Sequence, residues 1–267
     1  MRLSISHSTR YRFTAPQSRL VQLLRLTPQD SVDQTVVHWH IGVDCDVRLR
    51  EARDGYGNRV TMLYADGPIE GIEISVDGEV LTAGDVGLVR GVAEPLPVAL
   101  YRRPTDRTLA SDAMRALLAD APADAIERLH AINLALYRRL TLVEARQDDG
   151  AAASDVFTER DASPRDFAHL FIALARADGV PARYVSGYRP GADGGAHAPH
   201  AWAEAHVEGL GWVAFDPSRG VSADAGYVRV AVALDAAGAA PVAGSRLGEG
   251  RERMDVDVSV EPLGGDG

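Results

Sequence analysis

The stretch Ser163-Pro-Arg-Asp-Phe-Ala-His-Leu-Phe-Ile-Ala-Leu-Ala-Arg-Ala-Asp-Gly-Val-Pro-Ala-Arg-Tyr-Val-Ser-Gly-Tyr188 reads as a helix, a sharp stop and a strand. Ser163 is a good N-cap, because its hydroxyl can accept from an amide of the first turn. Pro164 suits the first helical position, where its missing N–H costs nothing, and Asp166 complements the helix dipole. Phe167, Leu170, Phe171 and Leu174 recur at helical spacing and form one apolar stripe. Gly179 and Pro181 end the pattern, which predicts a helix over about 164–178. Downstream, residues 182–188, 200–207 and 212–215 read as strands. The last two are joined by Glu208-Gly-Leu-Gly211, a short glycine-containing connection that predicts an antiparallel hairpin.

Working outward, residues 1 to about 85 alternate apolar and polar positions, the period of strands with one buried face. Val37, Trp39, Ile41, Val43, Cys45 and Val47 fall on one side, and His38, His40, Asp44 and Asp46 on the other, so Cys45 is expected in the core. Asp54-Gly-Tyr-Gly-Asn58 is a turn signal; it lacks the repeated carboxylates of a calcium loop. A proline-rich stretch around 95–104 separates this region from a helical pattern over 108–142, broken at Ala121-Pro-Ala123 and carrying charges that suit a solvated face. Residues 147–161 read as a polar, alanine-rich loop. Near the end, Met254, Val256, Val258 and Val260 alternate with Asp255, Asp257 and Ser259, predicting a half-buried strand before a glycine-rich tail. The expected organisation is a β-rich, sandwich-like domain over 1–90, a linker over 91–106, a core domain over 107–235, and a C-terminal strand and flexible tail over 236–267. No internal repeat is visible.

The chain has 267 residues, 46% hydrophobic and 25% charged, ordinary values for a folded protein. Its net charge of −10 argues against a nucleic-acid-binding surface, which must neutralise phosphates. All 28 basic residues are arginine, so no lysine amine is available for Schiff-base or isopeptide chemistry. The single cysteine, Cys45, excludes an internal disulfide and a cysteine-rich zinc site. The N-terminus shows no signal-peptide pattern and no stretch suits a membrane span, which makes a cytoplasmic location the expectation.

The 163–188 stretch, followed by His200-Ala-Trp-Ala-Glu204 and Gly211-Trp-Val-Ala-Phe-Asp-Pro217, closely resembles the bacterial transglutaminase-like core. Tyr11-Arg-Phe13, Leu24-Arg-Leu-Thr-Pro28 and Asp54-Gly-Tyr-Gly-Asn58 resemble the β-rich N-terminal domain of the same proteins, so the resemblance spans most of the chain. It implies an α+β fold with a papain-like core, and a Cys-His-Asp triad that cleaves or exchanges amide bonds through a thioester. His200 matches the family histidine and Asp216 its aspartate. Family members usually carry Gly-x-Cys-(Gln/Arg)-Asp at the helix start. Laid on Ala162-Ser-Pro-Arg-Asp166, that pattern places Pro164 where the cysteine belongs, and Arg160 and Ala162 where the preceding glycines stand. Loss of those glycines implies a changed backbone at the loop.

Several side chains compete for a role. Ser163 is an alternative nucleophile one position early, but its cap role uses the same hydroxyl, and a serine needs stronger activation than a thiol. Cys45 would have to cross from another domain. His197, His200 and His206 with Asp193 or Glu204 form a weak metal-ligand pattern. Trp202, Trp212 and Tyr188 are candidate groove residues, the alternative for the tryptophans being to cover the sheet. His169 follows the helix stripe and reads as a packed histidine. The leading expectation is a catalytically silent member that binds a peptide or protein segment, as a homo-oligomer or beside an active paralogue, with no cofactor, nucleic acid or membrane. The rivals are an active amide-bond enzyme using Ser163 or another group, and a metal-dependent hydrolase.

Overall fold

The structure is a computed structural model that describes residues 1–84, 87–119, 121–144, 146, 150–191 and 199–264. In chain order the strands and helices are β1 (Arg2–Leu24), β2 (Gln34–Val43), β3 (Arg48–Arg53), β4 (Arg59–Thr82), β5 (Leu88–Val89), α1 (Asp112–Arg115) and α2 (Ala125–Arg139). There follow β6 (Thr141–Leu142), α3 (Ala153–Glu159), β7 (Asp161–Ala162), α4 (Pro164–Ala177), β8 (Ala182–Tyr188), β9 (His200–Val207) and β10 (Gly211–Asp216). The chain closes with β11 (Val221–Ser222), β12 (Val228–Ala233), β13 (Val242–Leu247) and β14 (Glu252–Pro262). The fold is α+β.

The first sheet is built on two long antiparallel partners, β1 and β4, whose register shifts between Arg12 and Arg19. Tyr11, Ile72 and Ile74 from one side of that shift share an apolar cluster with Leu20, Leu24 and Leu63 from the other. The sheet therefore folds over on itself into two layers, each with one buried face. β2 and β3 flank β4. Along β2 a bulge makes Val36 oppose Val80 and His38 oppose Glu79, so Val37 is the extra residue and stays exposed, against the expectation of a uniform buried face. Cys45 is only partly buried, packed with Val43 and Val47 against the cluster.

β13 and β14 pair with β1, β13 alongside residues 19–24 and β14 alongside residues 3–13. The C-terminal segment expected as a lone strand and tail thus completes the N-terminal sheet; residues 265–267 of the expected tail lie outside the described residues. β5, expected in the first domain, instead pairs with β10 of the second sheet. The turn at 54–58 forms as expected and also ties the two parts together. Asp54 accepts from the amides of Tyr56 and Asn58. The Asn58 side chain donates to the Val232 carbonyl and accepts from the Val232 amide, both at 2.8 Å.

The second sheet runs β11-β10-β9-β8-β12. Against it lies α4, buried on every side from Asp166 to Arg176. That is more than the single predicted stripe: α2 and α3 cover the face turned away from the sheet. Arg176 is buried with it and donates to the carbonyls of Tyr101, Ala182 and Leu234 and to the Thr108 hydroxyl, which fastens the 98–108 segment to the helix. The predicted loop over 147–161 contains α3. It ends at Arg160, whose φ of 74° is left-handed, and no other described non-glycine residue has a positive φ. Among the described residues no helix is long and apolar enough to cross a membrane.

Candidate active site

α4 starts as its sequence dictates. The Ser163 hydroxyl accepts from the Asp166 amide at 3.3 Å and donates to the Asp166 carboxylate at 2.7 Å, which also accepts from the Ser163 amide at 2.9 Å. This capping box satisfies the orphan donors of the first turn. Pro164 sits at the first helical position. Arg160, three residues before the cap, takes the left-handed backbone that glycine adopts without cost. A left-handed residue therefore stands in the loop although the glycine is absent.

The other half of the site comes from the β9–β10 hairpin. His200 opens β9 and Asp216 closes β10, so the two strand ends meet. The Nε2–H of His200 donates to Asp216 Oδ2 at 2.7 Å. Since a carboxylate only accepts, Nε2 carries the proton and Nδ1 is the basic nitrogen. Asp216 has no exposed surface. Its other oxygen accepts from the Ser218 amide at 3.0 Å and hydroxyl at 2.6 Å, and the Tyr227 hydroxyl donates to Oδ2 at 2.7 Å. Burial alone would push the Asp216 carboxyl up; the His200 imidazole and these donors outweigh it and hold it below its usual value. Burial, with Asp216 beside it, raises the Tyr227 phenol and keeps it protonated. Arg219 donates to the Tyr227 oxygen at 3.1 Å.

Pro164, Ser163 and His200 line one cavity of about 320 Å³. It opens between α4 and the core sheet on one side and β1, β14 and the 236–242 segment on the other. Of the residues singled out from sequence, His200, Asp216, Ser163 and Pro164 are brought together. Trp202, Trp212 and Tyr188 are buried and lie outside its walls. Trp202 packs edge-on against Tyr227. Trp212 lies under the Arg183 guanidinium at 3.8 Å. The Tyr188 hydroxyl and His7 Nδ1 share a hydrogen bond of 2.8 Å, joining the two sheets. Tyr184 and Ser186 reach the cavity instead, because on β8 they face α4 while Val185 faces away.

The metal-ligand pattern does not converge where it is described. Glu204 accepts from Arg183 at 2.6 Å and Arg229 at 2.7 Å, and these two guanidiniums hold it at about 2 against the upward push of its complete burial. His206 packs edge-on against Trp212. His197 and Asp193 lie outside the described residues. His169 is packed as expected: its Nε2 accepts from the Ala236 amide at 3.0 Å, and burial lowers it to about 4. Sequence reading missed Tyr227 and Ser218. Ser218 had a local signal, an aspartate two residues before it that forms an Asx-type turn; Tyr227 had none.

Residues 112–217 match the transglutaminase-like superfamily core and residues 3–81 the bacterial transglutaminase-like N-terminal region. The chain belongs to the transglutaminase-like superfamily. An uncharacterized protein of Mycobacterium tuberculosis (strain ATCC 25618 / H37Rv) is 28% identical to it over 298 residues, which cover 99% of this chain and 94% of the relative. One from Mycobacterium leprae is 26% identical over 284 residues, covering 98% and 99%. The crystal structure of a candidate cysteine protease from Cytophaga hutchinsonii superposes with a TM-score of 0.79 at 24% identity, over 100% of this chain and 92% of that one. The whole two-sheet architecture is thus a transglutaminase-like fold.

Proposed function

We propose that this transglutaminase-like chain has given up thioester chemistry and uses the cavity between α4 and the N-terminal sheet to hold a peptide segment. The observation that carries the proposal is Pro164 at the first position of α4, lining the same cavity as His200. In a working triad, a thiol at that helix start is favoured as thiolate by the helix dipole and the imidazole, and attacks an amide carbonyl. Proline offers no nucleophile, and no backbone N–H to bind the oxyanion that such an attack creates.

The nearby groups do not replace it. The Ser163 hydroxyl donates to Asp166, not to His200. Cys45 lies beyond the cavity walls, and burial, with Asp44 and Asp46 beside it, raises its thiol and lowers the fraction of reactive thiolate. What remains is an acid-oriented imidazole able to accept or donate one hydrogen bond in a cleft of ligand size.

The test offers the purified, unaltered chain a glutamine-containing peptide and follows both binding and release of ammonia. Binding without release supports the proposal. Turnover abolished by Ser163→Ala would establish the serine enzyme in its place, and turnover abolished by a chelator the metal-dependent one.

A further inference from the structure

The cavity has one wall unlike the rest. Along β1, alternate residues Leu3, Ile5, His7, Thr9 and Tyr11 share one face, and beside them on β14 the register sets Val260 opposite Ile5, Val258 opposite His7, Val256 opposite Thr9 and Met254 opposite Tyr11. This is the face turned toward the core. At its inner end Leu3, Ile5, Val258 and Val260 belong to the main apolar core. Toward the outer end the covering thins: Val260 is fully buried, Val258 3% exposed, Val256 half-buried, and Met254 55% exposed. Tyr11, Met254 and Val256 then form a wall of the cavity, with Pro241 and Val242 beside them.

One amphipathic ribbon thus runs from packed core to the cavity: His7 and Thr9, hydrogen-bonded to each other and His7 also to Tyr188, interrupt it midway, and Tyr11, Val256 and Met254 resume the apolar surface beyond them. Burial of apolar area supplies the driving force at the inner end, and the outer end presents the same kind of surface to the cavity, with no side chain of the described residues filling the space over it. Methionine is also the side chain best able to reshape around different apolar partners. The charged residues of the cavity, Glu144, Arg146 and Arg165, line it along with Ser163 and Pro164 rather than belonging to this ribbon.

We infer that this wall is a specificity subsite for one uncharged apolar side chain, leucine- or phenylalanine-like, of the peptide held past Pro164 and His200. The inference rests on the peptide-binding reading above. It makes Met254 and Val256, far from the triad in sequence, selectivity-determining residues supplied by the C-terminal strand.

The experiment uses the full chain labelled at its methionine methyl groups, four signals from Met1, Met62, Met114 and Met254, together with the His200 ring resonances. Capped peptides acetyl-Gly-Gly-X-Gly-Gly-amide are titrated with X as Leu, Phe, Ala, Asp or Lys. Leu and Phe are expected to shift both Met254 and His200 and to bind about tenfold or more tighter than Ala, Asp or Lys, the scale on which apolar pockets discriminate. Met254→Asp, at a position 55% exposed, should remove that preference. Equal shifts of His200 by Leu, Asp and Lys, unaffected by Met254→Asp, would overturn the subsite and leave peptide binding intact. Absence of shifts at His200 with every peptide would overturn both.

Discussion

The two halves of the site face one cavity and have met opposite fates. On the β9–β10 side, Asp216 collects hydrogen bonds from His200, from the amide and hydroxyl of Ser218, and from Tyr227. On the α4 side, Ser163 and Asp166 close on each other and Pro164 adds no polar group. The contrast separates structural from chemical reasons for keeping a residue. Removing Asp216 strands several donors in a place water does not reach, so folding alone is enough to retain it. A nucleophile at the start of α4 supports nothing beneath it, and once a capping box and a proline start the helix, losing it costs the fold nothing. Retention of the His-Asp pair is therefore no evidence of turnover.

The largest expected effect follows directly. Asp216→Ala should lower unfolding free energy by about 4 kcal/mol in denaturant titrations, the range for removing one member of a buried, paired cluster. A loss below about 1 kcal/mol would mean the pair is kept for chemistry instead. Next in size is acid. His169 is neutral in the native state, with burial depressing it to about 4 from an ordinary 6.5. Between those values the unfolded chain binds the extra proton, so this contribution is complete above pH 6.5 and falls as pH drops toward 4. The loss reaches about 3 kcal/mol. His7, also lowered to about 4 by burial, adds to the same slope. His169→Gln should flatten the pH profile of stability without abolishing it.

Smaller effects probe the helix start. Ser163→Ala should cost about 1 kcal/mol through loss of the cap, read as a lower midpoint in denaturant titrations. Arg160→Gly should stabilise by about 1 kcal/mol, because the left-handed backbone at φ 74° is strained for arginine and natural for glycine. Destabilisation by that change would show that the arginine side chain, not the backbone, sets the loop.

Much of this was legible from local pattern. The cap, proline and stripe of α4, the turn at 54–58 and the β9–β10 hairpin are short-range features, and the chain forms each where its sequence signals it. What stayed hidden depends on partners remote in sequence. The alternation at Met254–Val260 signals a strand, but nothing local says that it pairs with β1 across more than two hundred residues and walls the cavity. Val37 fits a periodic face until a bulge opposite Val80 and Glu79 turns it outward. Trp202 and Trp212 are groove candidates that local sequence cannot separate from sheet-covering tryptophans; packing against Tyr227 and the Arg183 guanidinium, both remote in sequence, puts them in the second role. Tyr227 joins the Asp216 cluster only because β12 returns beside β8.

If thioester chemistry has been lost at Pro164, no acyl intermediate forms on this chain. The most direct test is intact-mass spectrometry of the purified, unaltered protein, quenched in acid during incubation with excess activated peptide ester, with Pro164→Cys as the positive control. A single unmodified mass is expected for the natural chain, with ester loss at the rate of buffer alone. A mass increase equal to the acyl group, mapped to one of its own side chains and disappearing as the ester is consumed, would contradict it.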